Sequence, residues 1–127
     1  MSVESEHSAE EYAYLTTIGR VTGLPREIEI WFGARGNTIY MLAGSGHAAH
    51  WVMNLIVHPE VTVRIGDCVY IGRARVLEPG EEEQQARLLL AGKYQGWKPG
   101  APLSGWARTA LPVAVDLLVE AQEEEEG

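Results

Sequence analysis

Three short clusters in this chain combine residue types that hold anions and flat rings. The first is Gly19-Arg20-Val21-Thr22-Gly23-Leu24-Pro25-Arg26, which combines two glycines, a hydroxyl and two guanidiniums. Glycine lets backbone N–H groups turn toward a bound anion, and the arginine fork matches phosphate oxygens. The same composition also makes an ordinary solvated hairpin tip. The second cluster, Gly44-Ser45-Gly46-His47-Ala48-Ala49-His50, is a small-residue loop running into a helix start. Unpaired N–H groups and the helix dipole favour negative charge there; Ser45 or a neighbour can equally be no more than a cap. The third is Trp51 and Asn54, three apart on one helix face. A ring and an amide so placed can pack on a flat heterocycle and hydrogen-bond to it, although a tryptophan on a short helix also serves as core.

The remaining reactive side chains do not assemble into a protein-borne catalytic centre. His47 and His50 have the spacing of a metal pair and His58 follows, but no ordered third and fourth ligand accompanies them, so no metal site is expected. Cys68 lies in an apolar strand and reads as packing. No serine sits in a nucleophile elbow, and no Cys-His pair or paired carboxylates stand out. If the chain is an enzyme, its reactive group is borrowed.

The elements that must position these clusters are mainly strands. Tyr14–Gly19 is rich in β-formers, and Arg26–Phe32 alternates, with Ile28, Ile30 and Phe32 on one face and Glu27, Glu29 and Trp31 on the other. Ala34-Arg35-Gly36-Asn37 reads as a hairpin loop into Thr38–Ala43. Val61–Ile65 alternates, Gly66-Asp67 turns into Cys68–Leu77, and Val113–Val119 closes the series. Helices are expected over Ala48–Val57, stopped by His58-Pro59, and over Pro79–Tyr94, where Glu81–Glu83 suit a helix N-terminus and Leu88, Leu89 and Leu90 supply the buried stripe. A further short helix is expected around Ser8–Tyr14, and Gly96–Pro112 reads as a long ordered loop. Six strands with two or three helices make a mainly β, α+β chain: a small antiparallel barrel with helices packed on it.

Bulk properties narrow the partners. A chain of 127 residues with 46% hydrophobic and 22% charged residues is expected to form one domain, over residues 1–120, followed by an acidic, disordered tail at 121–127. The net charge of −8 argues against nucleic acid, which needs clustered Lys and Arg. Six arginines nonetheless lie within Gly19–Arg75, so the middle of the chain is locally not acidic. No apolar run approaches the roughly 20 residues that span a bilayer, and one cysteine with no secretory h-region points to the cytoplasm.

Taken together, Leu15-Thr16-Thr17-Ile18-Gly19-Arg20-Val21-Thr22-Gly23-Leu24-Pro25-Arg26 and Trp51-Val52-Met53-Asn54-Leu55, followed by His58-Pro59-Glu60-Val61-Thr62-Val63, resemble the two signatures of the deazaflavin-dependent nitroreductase family. That family sits within the flavin-binding split β-barrels, the wider group of the pyridoxamine phosphate oxidases. The resemblance runs from about Leu15 to Val119 and is thin between Glu78 and Pro112. It implies a split barrel holding the deazaflavin coenzyme F-420. Hydride would pass from the reduced coenzyme to a small acceptor such as a quinone, a nitroaromatic or an activated alkene. It also implies roles: Arg20, Thr22 and Arg26 at the coenzyme's phosphate and polar tail, Ser45 and Gly46 through backbone groups, and Trp51 and Asn54 on the cofactor side of the helix. Tyr94, Trp97, Trp106 and Arg108 could wall the acceptor site, or be loop packing. A homodimer with sites near the interface is the implied assembly.

Val21 stands where the family commonly has lysine, so fewer fixed cations face the phosphate. That departure keeps two alternatives open: a reductase of the same fold using flavin mononucleotide (FMN), and a non-catalytic binder of flavin, haem or lipid.

Overall fold

The computed structural model describes residues 2–120; the acidic tail at 121–127 lies outside the described residues. Seven strands form one antiparallel sheet: β1 (Tyr12–Ile18), β2 (Pro25–Trp31), β3 (Gly33–Arg35), β4 (Thr38–Ala43), β5 (Glu60–Ile65), β6 (Cys68–Val76) and β7 (Leu111–Glu120). Their order is β2-β1-β5-β6-β7-β4-β3. The first and last strands of that order are separated in the chain by Phe32 alone, so the sheet curls back on itself and one bent strand serves both edges. Its first half pairs with β1, from Tyr12↔Trp31 to Ile18↔Pro25, and its second half with β4, from Gly33↔Tyr40 to Arg35↔Thr38. The mainly β split barrel expected from the sequence is the fold found, with the bend at Phe32 dividing one expected strand from a short additional one.

Alternation along each strand places the core. Ala13, Leu15 and Thr17 of β1 and Val61, Val63 and Ile65 of β5 turn inward and are buried. There they meet Phe32, Ile39, Met41, Val113 and Val115, while Val52 and Leu55 join from the helix that follows β4. From Ile39 to Ala43, strand β4 is buried throughout because both of its faces are covered. Ile39, Met41 and Ala43 face the interior, whereas Tyr40 and Leu42 join Leu77, Ala86, Leu90 and Ala114 in a second cluster outside it. Removing a fully buried side chain such as Leu15 would cost about 2–5 kcal/mol through lost transfer energy and a residual cavity.

Among the described residues four α-helices complete the fold: α1 (Val3–His7), α2 (His50–Val57), α3 (Glu81–Gln95) and α4 (Gly105–Thr109). The amino-terminal helix falls earlier than the sequence suggested. Ser2 caps it in a capping box, and the Val3 N–H donates to Asn37 Oδ1 at 3.0 Å, so the expected Ser8–Tyr14 helix gives way to β1. Of the leucine stripe on α3, Leu90 is buried and Leu88 and Leu89 are half-buried. Helix α4 sits inside the segment expected to be loop. Ser104 caps it by accepting from the Ala107 N–H at 3.1 Å. The buried Arg87 of α3 holds its far end, donating to the carbonyls of Ala107 (3.0 Å) and Ala110 (2.8 Å) and pairing with Glu83. No helix among the described residues is long and apolar enough to cross a membrane.

Candidate functional site

The hairpin between β1 and β2 and the start of α2 converge on one cleft. The backbone between the strands is closed by Gly19 N–H to the Leu24 carbonyl and Gly23 N–H to the Gly19 carbonyl, each at 2.8 Å. Gly23 takes φ +73°, a left-handed value that favours glycine. Gly19 is needed for space, because a Cβ there would stand 2.7 Å from Thr22 Oγ1. That oxygen accepts from the Leu24 N–H at 3.2 Å, which leaves the hydroxyl proton of Thr22 available to a ligand.

Arg20, Thr22, Arg26, Trp51 and Asn54 all line this cleft of about 530 Å3. Gly19, Val21, Glu27, Ile28 and His50 line it with them. The structure therefore brings together five of the seven residues singled out from the sequence. Ser45 and Gly46 are not among the lining residues. They lie between β4 and α2, where Gly46–Ala48 form a single 3-10 turn that Ser45 precedes without a side-chain cap. The expected helix from Ala48 is thereby split, and α2 proper begins at His50.

Asn54 is the organising residue. It is 4% exposed, and its Oδ1 accepts from both the backbone N–H of Arg20 (3.1 Å) and Arg20 Nη1 (2.8 Å). Its Nδ2 donates to the buried Thr17 Oγ1 at 3.3 Å. Two donors facing one oxygen fix which way the amide points. His50 Nδ1 accepts from Arg20 Nη2 at 3.3 Å, so two side chains of α2 orient one guanidinium. The sequence places His50 at the end of the small-residue loop and in a histidine pair, and neither reading joins it to Arg20. Its spacing of four from Asn54 was the available signal that both share the face turned to Arg20. Trp51 is half-buried: it packs against the barrel core and also lines the cleft.

Strand β2 carries the site further. Below Arg26, Glu27 and Ile28, its next residues Glu29, Ile30 and Trp31 enter a second pocket of about 400 Å3, with Tyr12, Leu42 and Trp106. Trp31 stacks on Tyr94, centroids 4.3 Å apart and planes within 4°, and meets Trp106 edge to face at 5.6 Å. Of the four residues considered for an acceptor wall, Trp106 lines this pocket and Tyr94 backs it. Trp97 lies elsewhere, its Nε1 donating to the Ala101 carbonyl at 2.7 Å, and Arg108 is exposed. Burial pushes the Tyr94 hydroxyl up to about 12, so it is neutral and able to donate at physiological pH.

These residues fit a flat, anionic coenzyme. Two guanidiniums and a hydroxyl line the cleft, and Trp51 and Ile28 give it an apolar wall. Among the described residues, Glu6, His7 and Cys68 are the one group whose ligand atoms lie close enough to hold a metal, and they stand outside the cleft.

The model of the F420H(2)-dependent quinone reductase family matches residues 3–117. Among solved structures, an F420-H2 dependent reductase is 25% identical at TM-score 0.62, over 85% of this chain and 94% of its own. An F420 reductase is 18% identical at TM-score 0.66, covering 94% of this chain and 95% of its own. The haem storage protein HutZ from Vibrio cholerae is 17% identical at TM-score 0.69, over 94% of this chain and 96% of its own; at such identity it shows the fold alone. No curated protein matches. With a family model covering almost all of the described residues, this chain belongs to the F420H(2)-dependent quinone reductases.

Proposed function

We propose that the Arg20–Asn54 cleft holds the deazaflavin coenzyme by its phosphate and that the Trp31–Trp106 pocket receives the acceptor, a small quinone. The single observation that carries this reading is the convergence of Arg20, Thr22, Arg26, Trp51 and Asn54 on one cleft. When bound and reduced, the deazaflavin supplies a hydride, which with one proton converts a quinone to its hydroquinone. The protein's own contribution is to bind and orient. Arg20, pinned by Asn54 and His50, presents a guanidinium that needs little reordering on meeting an anion. Thr22, whose oxygen already accepts from the Leu24 N–H, donates its hydroxyl. Arg26, exposed at the start of β2, adds a second cation toward the polar tail. Strand β2 runs from that cleft to the second pocket, so coenzyme and acceptor would lie along one strand, with Trp31 and Trp106 excluding water from the acceptor. Nitroaromatics and activated alkenes share the flat shape this pocket accepts. The unpaired Cys68 supports a reducing, cytoplasmic setting.

A second reading rests on two features. Val21 is 88% exposed at the hairpin tip where a cation would serve a long anionic tail, and Glu27 adds a carboxylate to the cleft wall. FMN, shorter beyond its phosphate, would need fewer cations. The test is a fluorescence titration of the purified protein with each cofactor, beside Arg20→Ala. Micromolar or tighter deazaflavin binding that weakens at least tenfold in the variant supports the first reading. Preferential FMN binding supports the second, and binding of neither removes both.

A further inference from the structure

We propose that Tyr94 is a positioning residue for the acceptor, holding the Trp31 ring in place from the point where the barrel splits; the inference rests on reading the Trp31–Trp106 pocket as the acceptor site. Strand register creates the need for it. Pairing with β1 stops at Trp31↔Tyr12 and pairing with β4 starts at Gly33↔Tyr40, so Phe32 between them has no ladder partner. Phe32 is fully buried, and buried backbone groups require partners.

Helix α3 supplies them from two adjacent residues. The Phe32 N–H donates to Tyr94 Oη at 2.9 Å, and Lys93 Nζ donates to the Phe32 carbonyl at 2.9 Å. Tyr94 Oη also lies 2.8 Å from the Phe32 carbonyl and 2.7 Å from that of Glu11, the residue just before β1. The hydroxyl has one proton. With Lys93 serving Phe32, that proton goes to Glu11, and every group is satisfied. One hydroxyl therefore ties together the two strands that separate at the split.

The ring of the same side chain lies flat on Trp31, 4.3 Å away. Tyr94 thus fixes both the backbone next to Trp31 and the plane of its indole, which leaves the ring set edge to face against Trp106. Lys93 reinforces the bend, its Nζ lying 3.8 Å from the centroid of the Phe32 ring. A pocket wall fixed in advance spares the acceptor the cost of ordering it.

Calorimetric titration with 2,3-dimethyl-1,4-naphthoquinone tests this. Its blocked ring carbons cannot add to the Cys68 thiol. Tyr94→Phe keeps the stack and loses the hydroxyl, and is expected to raise the quinone Kd about fivefold to tenfold. Tyr94→Leu loses both and is expected to raise it about thirtyfold or more. Deazaflavin affinity should stay within about twofold in each, and in turnover KM for the quinone should rise with kcat little changed. Lys93→Met, which spares the tyrosine, should shift the quinone Kd in the same direction by less, and serves if a Tyr94 variant does not fold. Trp31→Ala separates the inference from the reading beneath it. If Trp31→Ala weakens quinone binding but Tyr94→Phe and Lys93→Met do not, the pocket stands and the positioning role is refuted. If Trp31→Ala binds the quinone as the native protein does, the pocket reading falls and the inference with it. Equal loss of both ligands in Tyr94→Phe would show a merely structural role and overturn the proposal.

Discussion

Asn54 offers a way to separate holding Arg20 in place from leaving its charge free. Replacing Asn54 by Leu removes the acceptor for Arg20 N–H and Nη1 and the donor to Thr17 Oγ1. The guanidinium is half-exposed and can turn to water, so the lasting losses are the Arg20 backbone N–H and the buried Thr17 contact. Together these amount to about 2–3 kcal/mol of stability. Binding suffers less, since a loosened arginine must be reordered at a cost of about 0.5–1.5 kcal/mol, roughly threefold to tenfold in Kd. Asn54→Asp acts the other way. Its carboxylate accepts the same two donors more strongly, and the Thr17 hydroxyl can turn to donate to it in place of accepting from Nδ2, so stability should stay near native. It also places a negative charge about 6 Å from an anion beyond Arg20, which at an effective dielectric of 20 costs about 3 kcal/mol, roughly a hundredfold in Kd. Thermal melts and a coenzyme titration on both variants give the answer. Native-like deazaflavin binding by Asn54→Asp would refute the placement of the coenzyme's anion at Arg20.

Three further outcomes follow from the packing. Arg87→Met should lower stability by about 3 kcal/mol, because it removes the ion-pair partner of Glu83 and the donor to the carbonyls of Ala107 and Ala110; a melting temperature lower by about 10 °C is expected, and an unchanged melt would contradict the anchoring of α4. At alkaline pH, Tyr40 and Tyr94 are each pushed up to about 12, Tyr94 by burial and Tyr40 by burial and the Glu82 carboxylate. Since folding raises these values, their contribution is present below about pH 10 and is lost as pH climbs toward about 12. A double Tyr40→Phe, Tyr94→Phe variant should melt with a flatter dependence across that window. In acid, hydrogen bonds from Arg75 hold Glu82 and Asp116 below the ordinary carboxylate range, so their contribution is present above about pH 4 and fades as pH falls further. Arg75→Met should reduce the acid slope measured by pH-dependent melts, and a slope equal to the native one would show that the network does not couple to folding.

Local patterns in the sequence determined most of the strands. Arg26–Phe32 and Val61–Ile65 alternate with period two because each strand has one face on the core, and Gly66-Asp67 marks its turn by composition. The Gly19–Arg26 and Trp51–Asn54 motifs were also visible, since their residue types and spacing are local properties. Pairing across the barrel was not. The bend at Phe32 cannot be read from its neighbours, because it arises where one strand leaves β1 and joins β4, and its stability comes from Tyr94, 62 residues away in sequence. Helix α4 was hidden in a Gly- and Pro-rich stretch and is held by Arg87, a contact no window along the chain contains. The same holds for the site. Sequence named Arg20 and Asn54 separately, but that one orients the other, and that His50 joins them, follows from packing α2 against β1. Local chemistry is set by which residues occur at which spacing; the aim of a charge and the place of a split are set by contacts distant in sequence, and only the folded barrel brings those together.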